Sequence, residues 1–106
     1  MKYSYEFKKN PFGITRIILP ETLTVFSDVF EDISTKEEAD EHIVYVKKVL
    51  TGDYEDFEIT LNATSIKIKK NMTIAEHHYR FDEPFESSIE TDELLELMLI
   101  WREAIE

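Results

Sequence analysis

The chain contains no cysteine, which excludes disulfides, thiolate metal sites and a cysteine nucleophile, and makes a reducing cytoplasm the expected setting. Glycine is almost as scarce. With Gly13 and Gly52 alone, a glycine-rich loop that cradles phosphate cannot be built, and the G-x-S-x-G, P-loop and dinucleotide patterns are missing too. No apolar run approaches the roughly 20 residues needed to cross a bilayer. The opening MKYSYEFKKN lacks the apolar stretch of a signal peptide. Asn-x-Thr triplets at Asn62 and Asn71 would matter only in a secretory route, which nothing else in the sequence supports. Positive charge is also short: 12 Lys and Arg stand against 23 Asp and Glu, a formal net charge of −11. Nucleic-acid affinity depends on Lys and Arg displacing counterions, so direct binding to nucleic acid or to an anionic membrane is not expected. A basic protein partner is, because complementary fields speed encounter and reject wrong partners.

At 106 residues the chain suits one domain, residues 1–106, with a core of its own. Tyr3, Tyr5 and Phe7 alternate with Ser4, Glu6 and Lys8, which predicts a strand with one buried face. Asn10-Pro11-Phe12-Gly13 reads as a turn and residues 14–19 as the partner strand. Leu23, Phe26, Phe30 and Ile33 recur at helical spacing over about 21–33, although TLTVF could also be extended. A second helix over 35–51 is marked by Thr35 with Glu38 as a capping box, by the stripe Ala39, Ile43, Val46 and Leu50, and by Gly52 beyond its end. Phe57, Ile59 and Leu61, then Ile66 and Ile68, then Ala75, His77, Tyr79 and Phe81 alternate with polar residues, predicting a three-stranded meander. A last helix over 92–105 is preceded by Thr91 as its cap. The expectation is an α+β fold: an antiparallel sheet of about five strands in β-β-α-α-β-β-β-α order, with helices mainly on one face.

Charge is unevenly distributed. Residues 20–58 carry twelve acids and three bases and residues 82–106 nine and one, whereas 1–19 and 59–81 each carry four bases and one acid. Basic strands and acidic helices with their lead-ins are therefore expected. Three acidic groups stand out: Glu31 to Glu41, Asp53 to Glu58, and the segment FDEPFESSIETDE over 81–93, with six carboxylates, two phenylalanines and no base. Each suits a solvated surface, and acids also suit the positive end of a helix dipole. The partner-binding candidates are Asp53, Glu55, Asp56, Asp82, Glu83, Phe85, Glu86 and Glu90. Phe81, Phe85 and Ile89 could equally pin the segment to the core. Trp101 reads as core.

Chemistry-bearing clusters are thin. In Glu76-His77-His78 adjacent strand residues point to opposite faces, so only Glu76 and His78 could share an ion, short of the three or four ligands zinc takes. The ordinary reading has His77 half-buried with Glu76 and His78 facing outward. Glu38 and His42 read as an exposed helical pair. No catalytic, metal or cofactor residue is therefore assigned, and an enzyme is not expected.

KYSYEF, PETLTVFSDVFEDI, FDEPFESSIET and the ending ELLELMLIWREAIE resemble small acidic immunity proteins of bacterial contact-dependent inhibition and related polymorphic toxin systems, particularly those paired with ribonuclease toxins. The resemblance spans most of the chain. It implies a cytoplasmic protein, not an enzyme and without a cofactor, monomeric in isolation, that forms a 1:1 complex with a cognate basic nuclease toxin domain and occludes its active site. The alternative is an acidic adaptor or nucleic-acid mimic, for example phage-encoded, that binds a host nucleic-acid enzyme.

Overall fold

The computed structural model describes residues 1–79 and 85–105. Two antiparallel sheets and three helices form an α+β fold in the order β1 (Glu6–Lys9), β2 (Thr15–Ile18), a 3₁₀ turn (Glu21–Leu23), α1 (Thr24–Glu31), α2 (Lys36–Leu50), β3 (Asp56–Thr60), β4 (Thr64–Lys69), β5 (Met72–His77), β6 (Glu86–Glu90) and α3 (Thr91–Ala104). The hairpin β1-β2 is one sheet. The other runs β3-β4-β5-β6.

The expected single sheet is thus two, and the strand missed by sequence is β6. Its residues ESSIE carry one apolar side chain, so alternation is nearly silent there. Pairing fixes it instead: Ala75 opposes Ser87 and Thr73 opposes Ile89, placing Ser87 and Ile89 in the buried row. The small Ala75 and Ser87 leave room for α1, whose Val25 N–H donates to Ser87 Oγ at 3.3 Å. Helix α1 has no side-chain cap at Leu23, and β6 supplies the acceptor.

Along α1, Val25, Phe26, Val29 and Phe30 are fully buried. One side of the helix meets β2, and the other meets β4, β5 and β6. Trp101 of α3 packs 5.9 Å from Phe30 and donates Nε1–H to Ile33 O at 2.7 Å, so its indole is buried with its polar atom satisfied. Helix α2 begins as its sequence signals: Glu38 N–H donates to Thr35 Oγ1 at 3.1 Å, and Gly52 ends it at φ +86°.

Thr91 is not the expected cap but the first residue of α3, fully buried. Its hydroxyl donates to Lys69 O at 2.5 Å and accepts from Thr73 Oγ1 at 2.9 Å, tying α3 to the β4-β5 turn. Strand β5 stops at His77 rather than running to Phe81, and Tyr79 is in a turn. The aromatic opening also differs: all of β1 is exposed, and Tyr5 and Phe7 keep 40% and 39% of their surface, Phe7 meeting only the margin of the core, with its ring 6.3 Å from Trp101.

Thr91→Val keeps the shape and removes both bonds. It should destabilise the protein by about 1–3 kcal/mol, lowering Tm by about 4–8 °C for each kcal/mol. Thr73→Val combined with it should cost less than the sum of the two single changes, since the hydroxyls are partners. Thermal unfolding of the four proteins checks this, and additive losses would contradict it.

Candidate functional site

One face of the four-stranded sheet carries the core and the other is open. Because strand side chains alternate, the open face presents Asp56, Glu58 and Thr60 from β3, Ser65, Lys67 and Lys69 from β4, Met72, Ile74 and Glu76 from β5, and Glu86, Ser88 and Glu90 from β6. Cross-strand register decides which charges meet. Asp56 faces Lys69 and Glu58 faces Lys67, so the acids of β3 are opposite bases. At the other edge Glu76 directly faces Glu86.

The adjoining pair, His77 and Phe85, is hydrogen-bonded, with His77 N–H donating to Phe85 O at 2.7 Å. Glu76 and Glu86 therefore occupy the non-hydrogen-bonded position, where opposed side chains approach most closely, with Cβ atoms about 4.5–5.5 Å apart. Both residues are exposed, and neither carboxylate has an ion-pair or hydrogen-bond partner among the described residues. Like charges in this position weaken a sheet. Sequence reasoning missed the pair, because it exists only once β6 is recognised as a strand. The same omission produced the expectation of basic strands, which the open face does not meet.

The sequence candidates are not one cluster. Asp53, Glu55 and Asp56 lie at the β3 edge; Phe85, Glu86 and Glu90 lie on or beside β6, three strand spacings or about 14 Å away. Asp82 and Glu83 lie outside the described residues, as does Phe81. Phe85 is 44% exposed, whereas Ile89 is fully buried, so of these two only Ile89 anchors the segment in the core. The loop before β3 is held by stacked rings: Phe57 lies 4.5 Å from Tyr45 and 5.3 Å from Tyr54. That leaves Asp53, Glu55 and Asp56 exposed on a fixed support.

Glu90 is already engaged. Lys2 Nζ donates to one carboxylate oxygen at 2.6 Å and the Tyr3 hydroxyl to the other at 2.5 Å. These two bonds hold its carboxyl well below the usual range, at about 2, and raise both Lys2 and Tyr3 above theirs. Lys2 N–H also donates to Glu93 Oε1 at 2.6 Å. The acidic start of α3 thus binds the first residues of the chain.

His77 is half-buried on the core face, its Nδ1 accepting from Tyr79 N–H at 3.1 Å and its Nε2 4.0 Å from Asp28 Oδ2. Arg16 pairs with both Glu31 and Asp28. Glu76 and His78 face outward. His42, expected in an exposed pair with Glu38, is buried instead, with Nδ1 bonded to the Glu38 carbonyl at 2.7 Å. Ala39, Ile43 and Val46 orient that side of α2 inward, so the ring is drawn in with them. Among the described residues no three His, Cys, Asp or Glu side chains converge as a metal site, and no helix is long and apolar enough to cross a membrane. No known protein family, curated protein or solved structure matches the chain.

Because Glu90 has a lower pKa folded than unfolded, its network stabilises the protein above the ordinary glutamate pKa of 4.5, and that contribution disappears as pH falls through about 2. The stability difference between wild type and Glu90→Gln should therefore be largest above pH 5 and shrink toward pH 2. Chemical denaturation across that range checks it; a constant difference would contradict the assignment.

Proposed function

We propose that this chain is an immunity protein that binds a basic nuclease toxin domain, most simply a ribonuclease, and blocks its active site in the cytoplasm. The observation that carries the reading is the directly opposed pair Glu76 and Glu86 on the sheet face away from the core, unpartnered among the described residues. Such a pair is unfavourable in the isolated protein and becomes favourable when a cationic group sits between the two carboxylates. Nuclease active sites concentrate Lys, Arg and His to hold phosphate, and two carboxylates on side chains whose Cβ atoms lie about 5 Å apart offer comparable negative charge. Asp53 and Glu55 add exposed acids beside the far edge of the sheet, where Asp56 is offset by Lys69, and Phe85 offers an exposed aromatic anchor beside Glu86. The resemblance to immunity proteins of polymorphic toxin systems points the same way.

The action is occlusion rather than catalysis. The protein supplies anions and hydrogen-bond acceptors, excludes substrate from the cleft and remains bound. A standard interface of about 800 Å² per partner is about an eighth of the 6,359 Å² surface. The net charge of −11 steers a basic partner from a distance.

Titration of a basic nuclease domain encoded beside this chain should bring its activity to zero near one equivalent. The association rate should be as high as about 10⁸ to 10⁹ M⁻¹s⁻¹ at low salt. It should fall steeply between about 0.01 and 0.15 M salt as the screening length drops from about 30 to 8 Å. Protection well below one equivalent, or an association rate indifferent to salt, would overturn the proposal.

A further inference from the structure

Strand β1 pairs with β2 on one side and has no strand partner on the other among the described residues. Its register with β2 sets Glu6 opposite Ile18, Phe7 opposite Ile17, Lys8 opposite Arg16 and Lys9 opposite Thr15. At the turn, Asn10 N–H donates to Ile14 O at 3.0 Å. Main-chain groups alternate in direction along an antiparallel strand, so those of Lys8 and Glu6 turn toward β2 and those of Phe7 and Lys9 turn to the open edge. That edge is unprotected. It contains no proline or bulge, and it adjoins a shallow apolar groove lined by Phe7 together with Leu99, Ile100 and Ala104 of α3. Tyr5 stands edge-on to Phe7, with ring centres 5.7 Å apart, and Tyr5, Phe7 and Leu99 each remain about 40% exposed.

An open edge of this kind pairs with another strand, and its charge pattern restricts which one. In an antiparallel pairing of β1 with β1 of a second copy, centred on Phe7, the outward main-chain groups of the two Phe7 residues meet. Glu6 of each chain then faces Lys8 of the other. Centring on Glu6 or on Lys8 instead opposes like charges, and a shift by one residue sets an outward-pointing residue against an inward-pointing one. A single register therefore satisfies backbone direction and charge together. The first 19 residues are also among the basic parts of this acidic chain, so two copies meet where their mutual repulsion is least.

We infer that the protein forms a two-fold symmetric homodimer through antiparallel pairing of β1 with β1 of a second copy, centred on Phe7, which joins the two hairpins into one four-stranded sheet. A monomer in isolation is what the resemblance to immunity proteins implies; the dimer proposed here rests instead on the open edge of β1 and its exposed aromatic side chains. The contact is isologous, so it closes at two copies rather than growing into a filament. It lies on the hairpin, away from the sheet face proposed for the toxin, and does not depend on that proposal.

Charge exchange tests it with substitutions at exposed positions. Sedimentation equilibrium of wild type from about 1 μM to 1 mM should show the mass rising from 12.6 kDa toward twice that value. Glu6→Lys alone and Lys8→Glu alone should each weaken dimerisation at least tenfold, because each creates two like-charge contacts. An equimolar mixture of the two variants should regain it as a heterodimer, and the double variant should regain it as a homodimer. Wild type that stays monomeric throughout would overturn the inference. So would a dimer that both single variants retain, or one that neither the mixture nor the double variant restores.

Discussion

Burial of α1 from both sides is the constraint on which the other elements depend. A helix with Val25, Phe26, Val29 and Phe30 all fully buried cannot lie on a surface; it requires apolar partners around most of its circumference. The hairpin covers one side through Ile17, the four-stranded sheet another through Ile66, Ala75 and Ile89, and α3 a third through Trp101. The polar ends of so buried a helix must also be satisfied. Ser87 accepts from Val25 N–H at its start; at its end Asp32 N–H donates to Val29 O and Ile33 N–H to Phe30 O, and the Asp32 carboxylate accepts from Ala63 N–H and the Thr64 hydroxyl, both at 3.2 Å. The helix thereby fixes the position of β6 and of the β3-β4 turn.

That arrangement explains where the acidic surface comes from. All three helices contact the four-stranded sheet, and the apolar alternation of its strands is directed toward them, so among the described residues no helix covers the opposite face. Ser87 and Ile89 must face α1, and the alternation of β6 then sends Glu86 to the open face. The partner strand sends Glu76 to the same place. A fold needing only solubility could use a lysine at either position and gain a favourable cross-strand pair, as Asp56 with Lys69 and Glu58 with Lys67 do at the other edge. The departure from that pattern lies at one end of one strand pair. It is therefore a local feature and separate from the overall acidity of the chain.

Much of the fold was legible because periodicity reports burial. The hairpin, α2 with its cap and closing glycine, and the strands around Ile59, Ile66 and Ala75 all follow from spacing. Two elements were misread for physical reasons. Aromatic alternation at Tyr3, Tyr5 and Phe7 signals a strand, yet cannot tell a core face from a face left for something else. Conversely, β6 uses serine at one inward position because α1 passes close by, and so loses the apolar signal. The candidate site shared this weakness. Acidic composition identified the segment around Glu86, but the pairing with Glu76 is a matter of register and is invisible until β5 and β6 are aligned.

On the proposed function, Glu76 and Glu86 are placed for a cationic partner at the expense of the isolated protein. Glu86→Gln tests both halves of it at once, since it relieves repulsion while keeping size and polarity. The purified variant should melt at a higher temperature than wild type, with the gain fading as salt screens the pair, and should bind the basic nuclease domain at least tenfold more weakly. A variant that gains no stability, or that gains stability and binds the nuclease as tightly as wild type, would contradict it.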